Sequence, residues 1–125
     1  MSNGKSAGFT LIELVIVIVI LGVLAAVAAP RFIDLSQEAE ASALRAQASG
    51  LSSASAINFA AYRAGSDDAT DIENCDDVPT LMDGWDDDAY TVTSEAIDDG
   101  ETQECTLTQE STGNDDQFIG YGVQQ

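Results

Sequence analysis

From Phe9 to Ala29 every position is apolar or small except Thr10 and Glu13. A helix rising about 1.5 Å per residue over that stretch roughly matches a hydrocarbon layer of about 30 Å. After Pro30 the pattern changes: Asp34, Glu38 and Glu40 interleave with Leu35, Ala39, Ala41 and Ala43, and no strong breaker precedes Gly50. This spacing predicts that the helix continues, with Pro30 as a weak point, because a proline inside a helix removes one hydrogen bond and crowds the preceding turn. The alternative is that the helix stops there. At 100° per residue, one side then collects Leu44, Ala48, Leu51, Phe59 and Tyr62, a stripe able to hold a sheet. A different side collects Ala43, Ala46, Gly50, Ala54, Ile57, Ala61 and Ala64. Small side chains let another backbone approach closely, although alanine is also simply the best helix former. Gly65 is the expected C-cap, with Arg63 at the negative end of the helix dipole.

Beyond Gly65 the helical period is lost. Ser66 to Asp88 reads as an Asp-rich loop punctuated by Pro79 and Gly84. Tyr90–Thr93 and Cys105–Thr108 alternate as strands do, and Asp99-Gly100 between them is a hairpin signal. Gly113-Asn114 marks another turn before the segment 118–123. The pattern predicts an α+β fold: one long N-terminal helix, a transmembrane half and an amphipathic half, packed on a small antiparallel sheet. Tyr90, Val92, Leu107, Ile119, Tyr121 and Val123 are the expected inward positions.

Charge sharpens this division. The chain has 125 residues and a formal net charge of −18, and Lys5, Arg31, Arg45 and Arg63 are its only basic residues. Most of the acids lie between Asp67 and Asp116. Such a domain repels phosphate backbones, so no nucleic-acid partner is expected. There is no histidine, no Ser–Lys or Cys–His pair and no glycine-rich phosphate cradle, so no catalytic residue is expected and the chain does not read as an enzyme. The acids offer oxygen ligands that suit calcium, but no stretch follows the EF-hand pattern. No cofactor is therefore expected, with calcium on an unpatterned charge run as the alternative. Cys75 and Cys105 are the only cysteines. In an exported domain an isolated pair usually forms a disulfide, which matters to a head with little core; two free thiols are the alternative.

Export is itself read from the N-terminus. Lys5 ahead of the apolar run favours a cytoplasmic N-terminus, leaving the remainder on the outer side of the inner membrane. An ordinary signal peptide cut after Ala28, or a plain single-span anchor, would share these features. Glu13 counts against both. A carboxylate in an apolar helix costs up to a few kcal/mol by depth, and by default it marks a functional site with a cationic partner. The apolar run supplies no cation, whereas an amine freed by cutting before Phe9 would lie close enough in a neighbouring subunit.

Gly8-Phe9-Thr10-Leu11-Ile12-Glu13 followed by the apolar run resembles the processing and assembly signature of type IV pilins and of type II secretion pseudopilins. The resemblance implies a leader at 1–8 that a prepilin peptidase removes between Gly8 and Phe9, with methylation of the new Phe9 amine. Loss of Lys5 would move the net charge from −18 to −19. It implies that Glu13 neutralises the Phe9 amine of a neighbour, and that the stretch from Gly22 to Pro30 can lose helical order in the filament. On this reading 9–29 is the transmembrane and assembly helix, 30–65 its amphipathic continuation, and 66–125 the acidic head with its disulfide loop. The subunit would sit in the inner membrane, meet the pilus assembly machinery, and polymerise into a homo-oligomeric helical filament on a Gram-negative surface, serving adhesion, attachment or motility. The stretch Ala28–Ser36 most resembles mannose-sensitive haemagglutinin pilins. A pseudopilin of a secretion system is the alternative, and calcium binding is typical of its major form.

Overall fold

The computed structural model describes residues 8–125, so Lys5 and most of the expected leader lie outside the described residues. A single α-helix, α1, runs Leu11–Arg63, followed by a 3-10 helix at Cys75–Leu81 and strands β1 Tyr90–Val92, β2 Thr102–Gln109 and β3 Asp115–Tyr121. The strands form one antiparallel sheet in the order β1-β2-β3. The fold is α+β, with a long N-terminal helix packed on a small sheet, as the pattern predicts. By its contacts the chain divides into two units, Met1–Glu38 and Ala39–Gln125.

In the first unit α1 passes Gly22 and Pro30 without ending, so proline does not act as a helix stop here. Its lack of an N–H still deprives the preceding turn of one bond. Side chains from Phe9 to Ala29 are all exposed. This part of α1 is long and apolar enough to cross a membrane.

In the second unit α1 ends on a Schellman motif. Gly65 adopts φ 78°, the Ser66 amide donates to Ala61 O at 3.0 Å and the Gly65 amide to Tyr62 O at 2.9 Å. Leu44, Ala48 and Leu51 of α1 are buried against Ile72, Cys75, Val78, Ile97, Cys105, Leu107 and Phe118. The expected stripe is therefore the core stripe, with Phe59 and Tyr62 half-buried at its end. Ser55 and Asn58 are also buried on α1, which hydropathy does not predict. Their reason is backbone satisfaction. The Ser55 hydroxyl accepts from the Tyr121 amide at 2.8 Å and that of Ser52 from the Ile119 amide at 3.0 Å. The Asn58 amide group both donates to and accepts from the Thr70 backbone at 2.8 Å. The serines thus cover edge strand β3, whose alternate amides, those of Ile119 and Tyr121, are taken by α1. Among the described residues no buried side-chain nitrogen or oxygen lacks a partner.

Three expectations for the head need correction. Ser66–Asp88 is not simply a loop: it holds the 3-10 helix and buries Ala69, Ile72, Cys75 and Val78. Asp77 makes this possible, because its Oδ2 accepts the amides of Glu73 at 3.0 Å and Asn74 at 2.9 Å. Asp99-Gly100 does not join β1 to β2 in a two-residue hairpin. Gly100 sits in a turn closed by the Glu101 amide on Asp98 O, within a longer connection that carries Ile97 into the core. The Ile97 amide donates to Glu73 O at 2.7 Å and so anchors that connection. Finally, Ile119 faces outward at 38% exposure, and Phe118 at 2% takes the inward place. Successive strand side chains alternate faces, so this one-residue offset exchanges them.

Candidate functional site

The N-terminus of α1 is organised by the segment that carries the sequence signature. Leu11 is the first helical residue, so Thr10 is the N-cap and Glu13 stands three residues beyond it. The Thr10 amide donates to Glu13 Oε2 at 2.8 Å, and the Glu13 amide donates to Thr10 Oγ1 at 3.2 Å. This reciprocal capping box satisfies two donors that an α-helix leaves unpaired at its start. In a hydrocarbon medium each such donor left bare costs several kcal/mol. A carboxylate there also faces the positive end of the helix dipole. Sequence reasoning that treated Glu13 alone missed Thr10, although the Thr-x-x-Glu spacing before an apolar run is the capping-box signal.

Gly8 and Phe9 lie just ahead of this cap. Phe9 is 83% exposed, and among the described residues a Cβ added at Gly8 would meet nothing within 4 Å. Gly8, Phe9, Thr10 and Glu13 therefore form one accessible cluster at the end of the apolar helix. Among the described residues no basic side chain is bonded to Glu13; its Oε2 is held by the Thr10 amide alone. Gly22 is similarly open on α1.

The head carries the second feature. Cys75, at the start of the 3-10 helix, and Cys105, on β2, form a disulfide with Cα atoms 5.7 Å apart, and both are fully buried. The free-thiol alternative is thereby removed. Among the described residues no three carboxylates group as metal ligands do, despite their number. The small-residue track on α1 divides. Gly50 abuts the head, where an added Cβ would lie 3.3 Å from Met82 Cε, whereas Ala43, Ala46 and Ala64 are exposed and Ile57 is 70% exposed.

Tyr62 ties α1 to the C-terminal end of the chain. Its hydroxyl lies 3.2 Å from Asp99 Oδ2 and 3.3 Å from Gln124 O. Partial burial, and then the Asp99 carboxylate, raise its phenol above the ordinary tyrosine value.

Comparison with known proteins adds identity to this geometry. The family model described as the prokaryotic N-terminal methylation motif matches residues 3–29. The type IV narrow pilus major component PilA5 of Thermus thermophilus is 38% identical over 104 residues, covering 83% of this chain and 82% of the relative. No solved structure matches the chain significantly. A relationship of that extent spans the head as well as the motif, and the chain belongs to the type IV pilins as a subunit of a pilus.

Proposed function

We propose that this chain is the major subunit of its pilus, made as an inner-membrane precursor, cut by prepilin peptidase between Gly8 and Phe9 and methylated on the new Phe9 amine. In assembly that amine meets the Glu13 carboxylate of a neighbouring copy as the apolar segments of α1 pack together. The observation that carries this reading is the charged group at the start of a membrane-length helix, capped by Thr10 and bonded to no base among the described residues. Removed from water, an unpaired carboxylate is costly, and a neighbour's ammonium offsets that cost only when both are seated in the same interface. Gly22 and Pro30 are the points at which α1 loses order during packing, since each weakens the helix locally. The assembled subunit works by forming an extracellular filament for attachment or motility, with no catalytic step and no cofactor.

Mass spectrometry of the intact N-terminus tests the processing step, on filaments sheared from cells and on the remaining envelope. The expected species is N-methylated Phe9 in the sheared fraction. Methylated Phe9 confined to the envelope would instead fit a pseudopilin, and an N-terminus at Ala29 would overturn the reading. Gly8→Leu should accumulate uncut precursor in the membrane, because a side chain at the cleaved position obstructs the peptidase; efficient maturation of that variant would place the cut elsewhere.

A further inference from the structure

The head contains an open groove that neither its disulfide nor the assembly site explains. It encloses about 560 Å³ between the 3-10 helix and β1. Pro79, Met82, Trp85 and Tyr90 make its apolar walls, with the Trp85 and Tyr90 rings 5.8 Å apart and tilted, both half-buried. Asp76 and Asp87 stand on its rim, exposed. The adjacent acids have structural tasks: Asp77 caps the 3-10 helix, and Asp86 Oδ1 accepts the amides of Asp88 and Ala89 at 3.0 and 3.2 Å. The carboxylates of Asp76 and Asp87, by contrast, accept no hydrogen bond among the described residues. An aromatic wall beside free carboxylates suits a cation that carries apolar or planar surface, and a guanidinium fits both demands by stacking on the rings while its N–H groups reach the carboxylates.

Charge complementarity indicates where that guanidinium originates. Nothing after Arg63 is basic, so the head has no cation of its own to offer. Without residues 1–8, the side-chain cations of the chain are three arginines, all on α1. Arg63 lies over the Phe59 ring at 5.9 Å and so already has an aromatic partner. Arg31 and Arg45 are exposed, and among the described residues Arg45 makes one side-chain hydrogen bond, to the Ser42 hydroxyl at 3.2 Å. We propose that the Trp85–Tyr90 groove of one copy receives Arg31 or Arg45 from α1 of a second copy. The proposal rests on the filament reading, and it assigns the acidic head an attractive role between subunits that otherwise repel one another.

Trp85 is the only tryptophan, so its fluorescence reports the groove directly. The full processed chain is measured as filaments and as detergent-dispersed subunits. In dispersed subunits agmatine, an alkylguanidinium, should alter Trp85 emission beyond an equal concentration of sodium chloride. Asp76→Asn with Asp87→Asn should weaken that response on the order of tenfold. In filaments Trp85 should be shielded from acrylamide, and Arg31→Gln or Arg45→Gln should reopen it while filaments still form. No agmatine response beyond salt would overturn the groove as a cation site. An agmatine response with Trp85 equally open in filaments and subunits would show that the groove takes an outside cation, overturning the second copy as its source. Shielding in filaments that neither arginine variant nor their combination relieves would also overturn it. Each of these results is read on filaments or subunits that exist, so it is distinct from failure to polymerise.

Discussion

Among the described residues up to Glu38 no side chain is buried, whereas from Ala39 onward the chain is built around an interior. In the first region the large apolar side chains from Phe9 to Val27 are exposed, and α1 is held by its own backbone bonds and the Thr10–Glu13 cap. In the second, Leu51, Ile72, Val78, Leu107 and Val123 are fully buried, and a disulfide closes the core. Burying one such side chain contributes about 1.5–3 kcal/mol. The first region leaves that stabilisation unclaimed. On the proposed reading, lipid before assembly and neighbouring helices after it are the surroundings in which so apolar a surface is stable. The contrast teaches that a small domain can complete its own fold while the helix it continues is completed only by other molecules.

In the proposed assembly, Glu13 is the residue at which the first region depends most on a partner. Glu13→Ala should leave cleavage intact and abolish surface filaments, as measured by the yield of sheared protein; normal yield would sink the charge-pairing idea. The head should be indifferent to that change but sensitive to its staple. Replacing Cys75 and Cys105 together by serine should lower the stability of the second region by about 3–4 kcal/mol on the chain-entropy account of a loop this long. Denaturation of the full chain in detergent, followed by Trp85 fluorescence, measures it. The same assay sharpens the contrast with a matched pair of substitutions. Leu51→Ala should cost about 2–5 kcal/mol by opening a cavity, while Leu21→Ala should leave the head transition where it is. A shift of the head transition by Leu21→Ala would mean that the two regions are thermodynamically joined.

The smallest effect is a pH dependence at Tyr62. Its folded-state value lies above the ordinary one of about 10, so the protonated phenol is favoured by the fold. That contribution is complete below the unfolded value and is lost as pH rises from there through the folded value. Wild type should therefore lose more stability across that alkaline window than Tyr62→Phe does; parallel losses would remove Tyr62 from the account.

What was legible in the sequence was local. The apolar run, the acidic interleaving after Pro30 and the terminating Gly65 each act within a few residues, and α1 was read through all of them. The Thr10–Glu13 cap belongs to the same class, since its spacing was present to be seen. The Leu44, Ala48 and Leu51 stripe was likewise recoverable, because a 3.6-residue period places those side chains on one face whatever lies opposite. The cysteine pairing was expected from an isolated pair in an exported domain, and the structure decided it against two free thiols.

The rest depended on partners distant in the chain. Ser52 and Ser55 look like ordinary exposed helix positions until β3 presents the amides of Ile119 and Tyr121 to them. In the segment 118–123 alternation sets Ile119, Tyr121 and Val123 against Phe118 and two glycines, and so favoured Ile119 as the inward residue. The decision rests with Gly120, where an added Cβ would lie 2.7 Å from Ile97 Cδ1 and 3.0 Å from Cys105 Sγ. Only a glycine allows the strand to approach the disulfide there, and Phe118, two residues earlier on the same face, is carried inward with it. The sequence by itself thus determined the helix, its membrane-length segment and the charged cap at its start, because backbone hydrogen bonds and helical period are short-range. Tertiary structure alone decided the strand face, the buried serines and the path of Ile97, because each is settled by packing between segments tens of residues apart.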